Sequence, residues 1–239
     1  MIFIDHLSKR YGSFLAVDGL SLTVERGEIV GLIGPNGAGK TSTLRCLAGI
    51  HAPSDGHVSI NGHDIVAEPV LAKQQLAFMA DEPQLFDYLT VFEHLQLTAR
   101  IYGVTDFAPR AKALIDEFEL EGKERTLPGA LSRGMKQKVA IACGLIHSPN
   151  VLIFDEPLTG LDPLGIRHMK ETIVSRGRSG AAVIVSSHLL HLVEEICTRI
   201  VIIDHGIKVA DGTLAELQAK AAAGSNLEQI FLTVTAHES

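Results

Sequence analysis

Three groupings in this chain have residue types and spacing suited to chemistry. The first is GPNGAGKT, which fits G-x-x-x-x-G-K-[ST] at Gly34, Gly39, Lys40 and Thr41. It lies between an apolar run, EIVGLI, and a helical pattern, KTSTLRCLAGI. Glycines there let successive backbone N–H groups converge on an anion with no Cβ in the way, and the helix start adds its dipole. Lys40 is spaced to reach β- and γ-phosphates, and the Thr41 hydroxyl to ligate Mg²⁺. Gly34, Pro35, Asn36, Gly37, Ala38, Gly39, Lys40, Thr41 and Ser42 together read as a seat for a nucleoside triphosphate.

The second grouping is Asp155 and Glu156 at the end of the apolar run NVLIFDEP. Two adjacent carboxylates closing a buried strand are costly unless they meet a cation or a polar reaction centre. Asp155 is expected beside Mg²⁺, as a direct ligand or one step removed. Glu156, one residue on, points elsewhere and can polarise a water that attacks the γ-phosphate. A solvated strand end opening a turn is the plainer alternative, and the phosphate loop upstream weighs against it. The third is His188, a titratable ring directly after the apolar run AAVIVSS, at what reads as another strand end.

Holding these groups in place requires buried strands with helices between them. GEIVGLIG, LAFMA, NVLIFDEP, AAVIVSS and RIVIID are β-rich runs, several of them continuously apolar, as strands covered on both faces of a parallel sheet are. The class is α/β. From Thr90 to Ser148 the strand signals stop and amphipathic helical patterns take over, in VFEHLQLTARIYG, RAKALIDEFEL and SRGMKQKVAIACGLI. Strands resume at once afterwards, so this is an insertion and not a separate domain. TLAELQAKAAA reads as a helix, followed by a loop, GSN, and a tail, LEQIFLTVTAHES.

Composition narrows the field. A chain of 239 residues with 46% hydrophobic content suits one well-buried unit, and a net charge of −7 argues against general attraction to nucleic acid or anionic lipid. Cys46, Cys143 and Cys197 form no Cys-x-x-Cys pair, which disfavours a zinc site and a disulfide framework. The start, MIFIDHLSKRYG, lacks the apolar stretch of a secretory signal, and no run approaches the ~20 apolar residues of a spanning helix. His188, His191, Glu194 and Glu195 have helical spacing that hints at a metal site, but HLLHLVEEICTRI reads better as an amphipathic helix with acids on its wet face.

Further motifs carry a resemblance. LSRGM, Leu131 to Met135, resembles the signature LSGGQ of the ATP-binding subunits of ATP-binding cassette (ABC) transporters, and lies just upstream of the NVLIFDEP strand, as in that family. GLD, ending at Asp162, is similar to its D-loop, SSH to its switch histidine, and Tyr11 in KRYG to the aromatic that stacks on adenine. The resemblance implies a P-loop NTPase core with a mainly parallel sheet, an N-terminal antiparallel β region and an inserted helical subdomain. The whole chain, 1–239, is then one ABC ATPase domain: core over 1–89 and 149–215, helical insertion over 90–148, and a C-terminal helix and tail over 216–239. It further implies ATP and Mg²⁺ as ligands, with Glu156 and His188 catalytic. Ser132 and Gly134, at a helix start suited to an anion, and Asp162 are implied nucleotide contacts at an interface with a second ATP-binding subunit. A homodimer is expected.

Two departures stand out. Asp81 occupies the position of a family glutamine that contacts Mg²⁺ or the attacking water. It is either an oxygen ligand of the metal, with Thr41 and Asp155, or a solvated loop acid. In the signature, Arg133 replaces a glycine and Met135 a glutamine. SRGMKQK, DEPLTGLDP and LEQIFL resemble the branch serving drug, antibiotic or polysaccharide exporters. That implies a permease on a separate chain and a peripheral position on the cytoplasmic side of the cell membrane, with no nucleic acid partner. The alternatives are a soluble ABC ATPase of DNA repair or translation, which typically has two cassettes or a long coiled coil, and a non-hydrolysing nucleotide-binding regulator.

Overall fold

The computed structural model describes residues 1–221 and 225–236. Two long strands open the chain, β1 (Ile2–Tyr11) and β2 (Phe14–Val24), then β3 (Ile29–Ile33), whose five residues are all buried. Helix α1 (Lys40–Leu47) follows the phosphate loop, and β4 (Asp55–Ile60) and β5 (His63–Asp64) complete an antiparallel sheet of order β2-β1-β4-β5. After α2 (Pro69–Gln74) and β6 (Leu76–Met79) come the helices of the insertion: α3 (Val91–Ile101), α4 (Phe107–Glu117) and α5 (Arg133–Leu145). The chain then returns through β7 (Val151–Asp155), α6 (Pro163–Arg178), β8 (Ala182–Ser186), α7 (Leu190–Ile196), β9 (Arg199–Asp204) and β10 (Ile207–Gly212). Helices α8 (Leu214–Lys220) and α9 (Leu227–Thr235) end it.

The second sheet has the order β10-β9-β3-β8-β7-β6. Its inner strands are parallel, and only β10 runs antiparallel, as a hairpin partner of β9. Strands β3, β7 and β8 are buried at every residue, the burial that their continuously apolar sequences require. One core, with Ile4, Leu22, Val30, Leu44 and Ile184, fills the space between the two sheets around α1. A second, with Leu95, Val139, Phe154, Ile173 and Val185, joins the insertion and α6 to the other face of the large sheet.

Helix α3 starts with a capping box, Thr90 accepting from the Glu93 N–H while the Glu93 carboxylate accepts from the Thr90 N–H. Ser132 caps α5 in the simpler way, its Oγ accepting from the Met135 N–H at 3.2 Å. One expectation needs correction. The segment LEQIFLTVT is not an irregular tail but α9, capped by Asn226 and Gln229 in a reciprocal box. Leu227 and Ile230 bury against Val193 of α7 and Leu217 of α8, and this burial overrides the poor helix propensity of Thr233, Val234 and Thr235. The expected helix TLAELQAKAAA runs to Lys220, and 222–224 lie outside the described residues. Among the described residues no helix is long and apolar enough to cross a membrane.

Candidate nucleotide site

The phosphate loop leaves the C-terminal end of β3 and closes on the start of α1, the crevice where open α/β sheets bind ligands. Its glycines are required by shape. A Cβ on Gly34 would run into the Ile203 carbonyl oxygen, and one on Gly39, at φ +100°, into that of Ala16. Gly37 is also left-handed, at φ +82°, but faces open space. Lys40 lies across the loop, its Nζ donating to the carbonyls of Gly34 (2.7 Å) and Pro35 (3.0 Å). Burial lowers its pKa, and the carboxylates of Glu156 and Asp155 pull the other way. Lys40 is a partly desolvated cation with no bonded carboxylate, so it is suited to an anionic ligand.

Asp155, at the end of β7, is 5% exposed, so its oxygens need partners inside the protein. Its Oδ1 accepts from Ser186 Oγ at 2.7 Å and from Thr41 Oγ1 at 3.3 Å. Ser186 Oγ in turn accepts from the Glu156 N–H at 3.0 Å. One buried hydroxyl at the end of β8 thus fixes both acids. Glu156 has φ +50°, an uncommon conformation for a residue with a side chain, and this turn sends its carboxylate away from that of Asp155. Its Oε2 accepts from His188 Nδ1 at 2.7 Å, which assigns the ring proton to Nδ1, and from the His188 N–H at 3.4 Å.

Lys40, Thr41, Asp155, Glu156 and His188 therefore converge on the ends of β3, β7 and β8. A cleft of about 740 Å³ opens beside them, lined in part by Thr41, Arg45, His51, Asp81 and Asp155. A smaller, more apolar cavity of about 400 Å³, lined by Lys208, Leu217 and Ile230, shares no residue with it. Thr41 and Asp155 supply hard oxygen donors at one edge, a sparse set that fits Mg²⁺ completing its shell with phosphate and water. Among the described residues no three His, Cys, Asp or Glu side chains form a ready metal cage. Asp81 lines the same cleft, but its Oδ1 lies 3.5 Å from Arg133 Nη2 and the carboxylate is paired there.

Other expected residues stand apart. Tyr11, at the end of β1, is 40% exposed, with His51 edge-on at 5.7 Å and Lys9 Nζ 5.1 Å from the ring centre. Ser132 and Gly134 make no hydrogen bond to the phosphate loop among the described residues; a Cβ on Gly134 would sit 3.6 Å from Leu161. The Ser132 hydroxyl is used as an acceptor by the helix cap, which leaves its proton free to donate. Asp162 caps α6, its Oδ1 accepting from the Gly165 N–H at 2.7 Å. On α7, Glu194 accepts from the Leu227 N–H and Glu195 pairs with Lys170, so both acids have structural partners. Ser186 and the Asp81–Arg133 pair were not among the sequence candidates. A polar residue ending an apolar strand beside the Asp-Glu strand was the available signal for Ser186; nothing local pointed to the pair.

A profile of the family described as ABC transporter matches residues 17–159. The chain is 34% identical over 242 residues to the ABC-type transporter ATP-binding protein EcsA of Bacillus subtilis, covering all of this chain and 98% of the relative. It is 35% identical over 219 residues to the linearmycin resistance ATP-binding protein LnrL of the same organism, covering 91% of this chain and 70% of the relative. A solved structure of an ATP binding subunit of an ABC transporter superposes with a TM-score of 0.94 at 34% identity, covering 98% of this chain and 99% of that one. With the phosphate loop, the acid pair and the inserted helices in this arrangement, the chain belongs to the ABC transporter family, as one of its ATP-binding subunits.

Proposed function

We propose that this chain hydrolyses ATP to drive export through a permease carried on a separate chain, acting in a dimer of ATP-binding subunits on the cytoplasmic side of the membrane. The observation that carries the reading is the relay Thr41–Asp155–Ser186–Glu156–His188, because it holds a metal-side acid and a water-side acid apart on neighbouring strand ends.

The residues around that relay divide the work. The glycine N–H groups and Lys40 bind the β- and γ-phosphates and draw off their charge. Thr41 and Asp155 would hold Mg²⁺, which would offset the negative charge of the phosphates. Glu156 orients the attacking water and accepts its proton as the bond from that water's oxygen to Pγ forms and the bond from Pγ to the β–γ bridging oxygen breaks. His188 fixes the Glu156 carboxylate from the far side through Nδ1 and keeps Nε2 free to turn toward the γ-phosphate. Tyr11 offers a half-open ring to the adenine, and Asp81 lines the cleft with its carboxylate held by Arg133.

Ser132 and Gly134 make no hydrogen bond to the chain's own phosphate loop among the described residues, which favours their use across a dimer, where the free hydroxyl proton and first-turn N–H groups of α5 meet the partner's γ-phosphate. Asp162 would sit at that same interface. The name of the linearmycin resistance relative supports export as the direction. The decisive experiment compares wild type and Glu156→Gln in membranes with the permease. ATP binding should persist and turnover fall at least a hundredfold, with the variant trapped as a dimer. Normal hydrolysis by the variant would show that Glu156 does not handle the water.

A further inference from the structure

Two positions that the sequence marks as departures from the family pattern, one of them in the signature, meet in space. Asp81, in place of a glutamine, and Arg133, in place of a glycine, are 52 residues apart in sequence, yet their side chains pair at 3.5 Å. The Asp81 Oδ1 has no hydrogen bond, and the Arg133 guanidinium is its charge partner in a pair whose side chains are 43% and 52% exposed. The Arg133 side chain also borders the turn after β7. A Cβ added to Gly160, at φ +78°, would sit 2.9 Å from Arg133 Nε and 3.0 Å from its Cδ.

One helical turn on, and on the same face of α5, Gln137 is 2% exposed and its Nε2 donates to the Ala80 carbonyl at 3.4 Å. Consecutive residues Ala80 and Asp81 are thus held by Gln137 and Arg133. The far end of the same loop is held by α3, where the buried His94 accepts the Phe86 N–H at Nε2 (2.9 Å) and contacts the Thr90 carbonyl through Nδ1 (2.8 Å).

We propose that Arg133 is a positioning residue. Through Asp81 and Gly160 it ties the first turn of α5, which begins at Ser132, to the loop lining the chain's own phosphate cleft. What happens at that cleft then moves Ser132, whose target is the nucleotide of the opposite subunit. This rests on the dimeric reading above. A glycine at 133 could make no such tie, and a glutamine at 81 would leave the guanidinium without a charge partner. The two departures are therefore the two halves of one ion pair.

The test is a double-mutant cycle on the full subunit in complex with its permease, with Asp81→Asn, Arg133→Gln and the double variant. Each single variant should bind ATP with KM within twofold of wild type and lose about fivefold in kcat, equivalent to about 1 kcal/mol. The double variant should fall within twofold of the worse single one. Multiplying losses, about 25-fold for the pair, would overturn the tie, as would a change confined to KM.

A second readout does not need turnover. In the isolated, nucleotide-free chain, amide exchange at Met135 and Lys136, whose N–H groups bond to Ser132, should quicken equally in both single variants and no further in the double. Unchanged exchange would refute the tie even if kcat fell. If wild type showed no ATP turnover, the proposed function would fail while the exchange result still judged the tie.

Discussion

Ser186→Ala removes one oxygen from the centre of the site, and its effect follows from three distances. The hydroxyl donates to Asp155 at 2.7 Å, accepts from the Glu156 N–H at 3.0 Å and is wholly buried. The first bond has a carboxylate acceptor, and such bonds contribute about 1.5–3 kcal/mol. Leaving the Glu156 N–H without its partner adds about 1 kcal/mol. The sum is about 3 kcal/mol, which for a chain of this size lowers Tm by about 6–12 °C. Ser187→Ala is the internal control. That serine is 2% exposed and its Oγ accepts one neutral bond, from the Leu189 N–H at 3.0 Å, so about 1 kcal/mol is expected. Calorimetric or urea unfolding of the two variants beside wild type gives the comparison. ATP turnover of Ser186→Ala should also fall about tenfold or more, since Glu156 loses its backbone anchor. Equal destabilisation by the two substitutions, or full turnover in Ser186→Ala, would refute the reasoning.

Gly39→Ala should abolish nucleotide binding in a titration with ATP, because both its left-handed backbone and the Ala16 carbonyl exclude a Cβ, whereas Gly37→Ala, with open space around it, should cost only about 1 kcal/mol of stability. A second effect concerns acid. Burial pushes the Asp211 carboxyl up, but hydrogen bonds from Arg199 and Lys208 outweigh it and hold the pKa below the ordinary 3.8. A depressed folded pKa stabilises above the unfolded value, and that stability is lost as pH falls below 3.8 through the folded pKa. Asp211→Asn should therefore lower Tm at pH 7 and flatten its fall between about pH 4 and pH 2. An unchanged acid slope would show that the Arg199 cluster does not hold this end of β10.

The elements that frame the site were legible because their signals are local. Apolar runs predicted β3, β6, β7, β8 and β9, and glycine spacing marked the loop between β3 and α1. The adjacency of Asp155 and Glu156 also allowed their divergence to be expected, and φ +50° at Glu156 is how the backbone achieves it. What escaped was made by long-range contact. Ser186 earns its place from a strand 31 residues away, and Arg133 from a loop on the far side of two helices. Helix α9 escaped for a different reason. Its β-branched residues obscure a capping box that Asn226 and Gln229 do spell out, and its buried face is decided by α7 and α8.

The sheet order has a consequence for the width of the working gap. The phosphate loop leaves β3 and Asp155 ends β7, so β8 is the one strand between them, and two inter-strand spacings hold their ends about 10 Å apart. Strand β8 thereby acts as a spacer, and its last residue, Ser186, bonds the acid from one side while Thr41 bonds it from the other. A serine there reaches the carboxylate at 2.7 Å. Strand β8 thus sets how far the phosphate loop stands from the acid at the strand ends, a span that two hydroxyls then bridge.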